Sequence, residues 1–203
     1  MTKILLIIGL GFSLLTGGYL FYLAKTTNVK DLQNALKATT IIYDKNGDQA
    51  GSLTGQKGTY VELDAISENL QNAVVATEDR SFYKNSGINY GRFFLAILTL
   101  GRSGGGSTIT QQLAKNAYLS QDQTVERKAK EFFLALEINK KYSKKEILTM
   151  YLNNAYFGNG VWGIEDASKK YFGVSASQLS LDQSAVLAGM LKGPEIYNPL
   201  YSV

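Results

Sequence analysis

Apolar and polar positions fall into three regimes along this chain. Ile4 to Leu23 runs for about 20 residues without a charge, the length needed to cross a hydrocarbon core. Thr40 to Leu53 reads as a hairpin, with Ile41, Ile42 and Tyr43 as a β-rich arm and Asn46-Gly47 as its turn. Beyond a further short strand expected at Thr59–Leu63, the apolar period becomes helical.

Ile66, Leu70, Ala73, Val74 and Thr77 predict a helix that delivers Glu78-Asp79-Arg80 at its C-terminal end. Tyr90–Leu100 is apolar nearly all round, which suits a buried segment or one sunk in a membrane interface, and it is too short to span. A loop follows over Arg102–Gly106, and Thr108–Tyr118 resumes as helix. Thr124–Lys141 predicts a long helix with Val125, Ala129, Phe132 and Leu136 on its apolar face. Ser143 with Glu146 and Ser180 with Gln183 read as capping boxes of two later helices. Between them lies a short helix ending at Gly173, and Gly193-Pro194 stops the last one.

In the N-terminal run, Lys3 precedes the apolar stretch, and Tyr19 and Tyr22 stand near its far end as interfacial anchors do. Its length, with no small-x-small site soon after, favours an uncleaved anchor over a signal peptide. Lys25, Lys30 and Lys37 follow it, so charge alone leaves the orientation open. Asn28–Ala38 is expected to be a short linker helix. The organisation read from the sequence is an anchor over 1–25, a linker and hairpin region over 26–63, and a mainly α domain over 64–203.

Composition sharpens this by exclusion. The chain has no histidine, so a Ser-His-Asp triad, a histidine base and ordinary histidine metal sites are out. It has no cysteine, so thiol nucleophiles, disulfides and zinc-thiolate sites are out too. Acid–base chemistry falls to Asp, Glu, Lys or Tyr. The formal charge of +4 does not argue for nucleic acid; it suits an anionic membrane surface or a phosphorylated substrate.

The richest stretch is Gly105-Gly106-Ser107-Thr108-Ile109-Thr110-Gln111-Gln112-Leu113-Ala114-Lys115-Asn116, whose glycines, hydroxyls, amides and ammonium can meet phosphate or sugar oxygens. Glu78 and Asp79 lie among the aromatics Phe82 and Tyr83, where a partly buried carboxylate can serve as base or acid. The plain alternative is a solvated helix end. Arg127 and Glu131, at i and i+4, are either a surface ion pair or a phosphate-binding cation with its orienting carboxylate. Lys128, Lys130, Lys140, Lys141, Lys144 and Lys145 read as a solvated or membrane-facing basic surface. Ser81-Phe82-Tyr83-Lys84 matches Ser-x-x-Lys, but no Ser-Asp-Asn or Lys-Thr-Gly accompanies it, and the match reads as chance.

Taken together, five ordered segments resemble the peptidoglycan glycosyltransferase family (glycosyltransferase family 51). This family includes the transglycosylase domain of class A penicillin-binding proteins and the monofunctional transglycosylases. The segments are Glu78-Asp79-Arg80-Ser81-Phe82 through Gly87; Gly106-Ser107-Thr108-Ile109 with Gln111-Gln112 and Lys115-Asn116; Arg127-Lys128 with Glu131; Tyr151-Leu152-Asn153 through Tyr156-Phe157-Gly158; and Ala188-Gly189-Met190-Leu191-Lys192 through Pro194.

The resemblance implies a lysozyme-like helical domain with a membrane-associated jaw over about 88–123. It implies polymerisation of lipid II at the outer face of the cytoplasmic membrane by a single-pass protein with its N-terminus inside. The partners implied are lipid II, lipid-linked glycan, the membrane and other cell-wall synthesis proteins, with no nucleic acid. Glu78 matches the general base, Lys115 and Arg127 the cations at the pyrophosphate, and Glu131 the second essential glutamate. Ser107, Thr108, Gln112, Asn116 and Lys192 match substrate-binding positions. The resemblance leaves room for a divalent cation, magnesium or manganese, on Glu131 or Asp79, and for no organic cofactor. Asn85 stands where the family often has histidine, so that position is no obligatory proton carrier here. The rival readings are a lysozyme-like hydrolase or lytic transglycosylase, and a non-catalytic cell-wall adaptor. The end soon after Tyr197-Asn198-Pro199 favours a piece of a longer bifunctional protein over a short monofunctional enzyme.

Overall fold

The computed structural model describes residues 17–19, 22–23, 26, 39–54, 58–99, 106–119 and 124–200. Most of the expected anchor Ile4–Leu23, all of the expected linker helix Asn28–Ala38 and most of the loop Arg102–Gly106 lie outside them. Among the described residues no helix is long and apolar enough to cross a membrane.

The hairpin forms as expected from β1 (Thr39–Tyr43) and β2 (Gln49–Thr54), paired antiparallel. Its register shifts between Ile42, opposite Gly51, and Tyr43, opposite Gln49, which leaves Ala50 as an extra residue. Asn46-Gly47 lies in the turn, but Asp44 organises it. The Asp44 Oδ1 accepts from the N–H groups of Asn46 (2.8 Å) and Asp48 (2.9 Å), an Asx arrangement wider than a two-residue turn.

The strand expected at Thr59–Leu63 is absent. Leu63–Ala65 is a 3-10 turn, and the extended residues before it pair with side chains rather than a strand. The buried Asn153 amide takes both backbone groups of Val61, accepting its N–H at 2.8 Å and donating to its carbonyl at 2.8 Å. The Thr59 N–H donates to Asp166 Oδ2 at 3.2 Å. Two side chains of the helical body do the work a neighbouring strand would have done.

Among the described residues from 58 onward the α-helices are α1 (Glu68–Glu78), α2 (Tyr90–Leu98), α3 (Ile109–Tyr118), α4 (Val125–Lys141), α5 (Lys144–Asn154), α6 (Ile164–Phe172) and α7 (Leu181–Met190). The boxes expected at Ser143/Glu146 and Ser180/Gln183 are both present, and Thr108/Gln111 caps α3 in the same way. Each such cap stabilises its helix by about 1 kcal/mol. Gly173, at φ 71°, ends α6 in the left-handed conformation.

The core gathers around α5, whose residues Ile147 to Asn153 are buried without a break. Helix α3 packs along both α4 and α5, while α1 lies against α7. Leu70, Val74, Phe82, Ile109, Leu113, Ile138, Leu148, Phe157 and Leu187 fill the space between them, all fully buried. A helix buried on every side needs apolar residues all round, and α5 supplies them except at its polar positions.

On α4 the observed inner face differs from the expected one. Glu131, Leu134, Ala135 and Ile138 are buried, whereas Val125 is exposed and Phe132 and Leu136 are half-buried. A count of apolar residues misplaces this face because one of its inward positions is a glutamate. Phe132 still packs, with Phe93 of α2 at 5.0 Å between ring centroids.

Candidate functional site

Glu78 is the last residue of α1, half-buried, with its carboxylate turned toward α3. Gln112 Nε2 donates to Glu78 Oε2 at 2.6 Å, and Tyr151 of α5 donates its hydroxyl to Gln112 Oε1 at 3.0 Å. Among the described residues Glu78 has no ion pair, so its charge is steadied by an amide alone. The Tyr151 phenol is pushed well above its ordinary range by burial and, secondarily, by the nearby Glu78 charge. It stays a neutral donor.

Asp79 faces inward and is 2% exposed. Its carboxylate accepts from Ser81 Oγ (2.9 Å), from Asn85 Nδ2 (2.9 Å) and from the Ile109 N–H at the start of α3 (3.4 Å). Asp79 therefore ties the residue beside Glu78 to the helix that carries Gln112 and Lys115. Ser81 gives its hydroxyl proton to Asp79 and not to a lysine, and Lys84 is exposed, in keeping with a chance Ser-x-x-Lys match. Asn85 has four partners at once, since its Nδ2 also donates to Ser81 Oγ (3.2 Å) and its Oδ1 accepts from Lys144 Nζ (3.1 Å) and from the Gly87 N–H (2.9 Å).

Across α3 the cations collect around Glu131, which is 1% exposed. Arg127 Nη1 reaches Glu131 Oε2 at 2.7 Å, and Lys128 Nζ bonds Glu131 Oε1. The Lys128 ammonium also donates to Ser107 Oγ at 2.8 Å, joining α4 to the start of α3. Arg127 is no surface ion-pair partner: its side chain is 15% exposed, and its buried Nε lacks an acceptor. Lys115 and Asn116 are half-buried, and among the described residues neither side chain has a hydrogen-bond or ion-pair partner. Lys192 is exposed and shares an open hollow of about 380 Å³ with Thr77, Val186, Gly189 and Tyr197, beside the end of α1.

Three residues sit differently from the sequence expectation. Thr108 is buried, donates to the Gly87 carbonyl at 2.6 Å and accepts from the Gln111 N–H at 3.1 Å, so its hydroxyl is committed to capping α3. Lys128 is a partner of Glu131 rather than a solvated lysine, and its i,i+3 spacing to Glu131 was the available signal. Lys144 is half-buried with its ammonium 4.7 Å from the Phe82 ring centroid, and burial pulls its pKa down against the raising effect of Asp79. Sequence reasoning gave no role to Tyr151, whose link to Gln112 spans 39 residues.

Glu131 and Asp79 do not fit a divalent cation. Such an ion needs several free oxygen ligands. Here both Glu131 oxygens hold cationic side chains, and Asp79 is filled by N–H and O–H donors. Among the described residues no group of three or more acidic side chains converges.

With this geometry in hand, comparison with known proteins is direct. A family model described as Transglycosylase matches residues 46–203. Penicillin-binding protein 2a of Streptococcus pneumoniae serotype 2 is 80% identical over 203 residues, all of this chain and 28% of that protein. Penicillin-binding protein 1A of Aquifex aeolicus is 46% identical over 164 residues, covering 79% of this chain and 23% of the relative. Penicillin-binding protein 1A/1B of Bacillus subtilis is 42% identical over 167 residues, or 80% of this chain and 18% of the relative. The chain thus spans little more than a quarter of the length of these relatives at most.

Proposed function

We propose, from the premise that this chain belongs to the transglycosylase family, that the domain polymerises lipid II into glycan at the outer face of the cytoplasmic membrane. One observation carries the reading: the free carboxylate and the cations are kept apart. Among the described residues Glu78 is held by an amide and no cation, whereas Arg127 and Lys128 are gathered on the buried Glu131 and Lys115 is left unpaired. A base neutralised by a salt bridge would be a poor proton acceptor, and cations without a scaffold would not hold a fixed position.

In the proposed reaction the 4-hydroxyl oxygen of incoming lipid II bonds to the anomeric carbon of the lipid-linked chain, with inversion. Glu78 takes the hydroxyl proton as that bond forms. The anomeric carbon–oxygen bond to the undecaprenyl pyrophosphate breaks, and its electron pair goes to the phosphate oxygen. Lys115 and Arg127 stabilise that growing negative charge. Glu131 keeps Arg127 in place, Ser107 and Asn116 meet sugar or phosphate oxygens, and Lys192 lines the hollow beside Thr77 at the end of α1. No step calls for a metal.

Incubation of the protein with lipid II in detergent tests this. Long glycan from the native chain, and none from folded Glu78→Gln, is the expected result. Shortening of preformed glycan would instead identify a hydrolase, and polymerisation by Glu78→Gln would remove Glu78 as base.

A further inference from the structure

We propose that Tyr151 is a positioning residue for the base: its hydroxyl fixes the Gln112 amide so that an N–H, and never the carbonyl, faces Glu78. The inference rests on the reading of Glu78 as base and deepens it. A glutamine amide is nearly symmetric in shape, with an acceptor at one corner and donors at the other. Turned one way, Gln112 steadies an ionised Glu78; turned the other, its carbonyl oxygen confronts the carboxylate. The Glu78 charge favours the first, and a third group bonded to the carbonyl corner adds to that preference.

Tyr151 is that group. It is 2% exposed on α5, the most enclosed helix, and its hydroxyl meets Gln112 Oε1 at 3.0 Å. That oxygen is the one acceptor recorded for the phenolic proton among the described residues. If the amide flipped, the phenolic O–H would be left buried without an acceptor, and Glu78 would face a carbonyl. The two penalties fall on the same flipped state, so the observed orientation is held from both ends. Burial also keeps Tyr151 protonated, so its role as donor does not lapse as pH rises through the working range. The 2.6 Å contact from Gln112 to Glu78 is short for N–H···O, as expected when the acceptor is charged.

Tyr151→Phe keeps the ring in its slot and removes the hydroxyl alone. With lipid II in detergent, kcat is expected to fall roughly tenfold and KM to stay within about twofold, because aim is lost and not substrate binding. Gln112→Met should cost at least as much, and the Tyr151→Phe/Gln112→Met double variant no more than Gln112→Met alone. Native kcat in Tyr151→Phe, or losses that multiply in the double variant, would overturn the proposal. A readout apart from turnover is hydrogen exchange of the Gln112 side-chain amide in 15N-labelled protein. Exchange that is slow in the native chain and fast in Tyr151→Phe supports the clamp; equal rates count against it. Glu78→Gln separates the two levels. If it still polymerises, the base assignment fails and this inference with it. If it is inactive while Tyr151→Phe is normal, only the role of Tyr151 fails.

Discussion

Arg127 and Lys115 carry the same charge, yet their removal should have different consequences. Arg127 lies against a buried glutamate, so Arg127→Ala leaves Glu131 with Lys128 alone. Loss of one charged partner from such a site costs on the order of 1–3 kcal/mol. For a domain of this size that lowers the melting temperature by several degrees, at roughly 2–4 °C per kcal/mol. Lys115 has no partner to strand among the described residues, so Lys115→Ala should lose glycan synthesis and melt as the native protein does. Thermal melts of the two variants beside their activities test the distinction; an equal drop in both melts would contradict it. Glu165 gives a pH signature. Burial tends to raise its carboxyl, but bonds from Lys169 and the Ala176 N–H, the Lys169 charge and the Ser175 hydroxyl together hold it below the ordinary value. A carboxyl lowered in the folded state stabilises the fold above its unfolded value of 4.5 and loses that contribution as pH falls through the lower folded value. Melting temperature followed from about pH 6 to pH 3 should therefore decline less steeply in Glu165→Gln than in the native chain.

At the scale of elements, what depends on near neighbours was legible in the sequence. Ser143 with Glu146 and Ser180 with Gln183 announce their helices because a capping box is complete within four residues. The inner face of α4 was not legible, since Arg127 and Lys128 read equally well as exposed partners of Glu131 until the packing of α3 against α4 is known. The same holds for the missing strand before Leu63, where the partner of Val61 is a side chain 92 residues away. The site residues themselves were found through family motifs, while the Glu78–Gln112–Tyr151 line depends on three helices converging. Where elements come closest, glycine is required. Gly87 has φ 94°, and a Cβ there would lie 2.6 Å from the Ala135 carbonyl oxygen of α4. Gly158 has φ 80° and would meet the Pro194 carbonyl oxygen at 2.6 Å. Either Gly→Ala change should destabilise the domain by more than about 1 kcal/mol, read as a lower melting temperature, because both conformation and space are wrong for a side chain.

For the molecule as a whole, the exposed apolar surface of α2 bears on where it works. Leu95 is 50% exposed and Tyr90 48%, on a helix that meets Phe132 through the rings of Tyr90 and Phe93. Such exposed apolar side chains on the domain proposed to use a lipid-linked substrate suit burial in a membrane interface. Leu95→Glu is accordingly expected to reduce synthesis from lipid II embedded in vesicles severalfold, with little change for lipid II in detergent; equal effects in both would exclude an interfacial role. The join between the β-hairpin and the helical body has a different consequence. Residues 59–61 are fastened by the Asn153 amide and the Asp166 carboxylate, not by a shared sheet. A sheet would transmit any slip of one strand to all its neighbours. A fastening made of two side chains has no register to lose. What precedes Gly58 can therefore vary in length and sequence while Glu78 and the cations keep their places; Gly58 itself cannot, since a Cβ there would run into the Trp162 carbonyl oxygen.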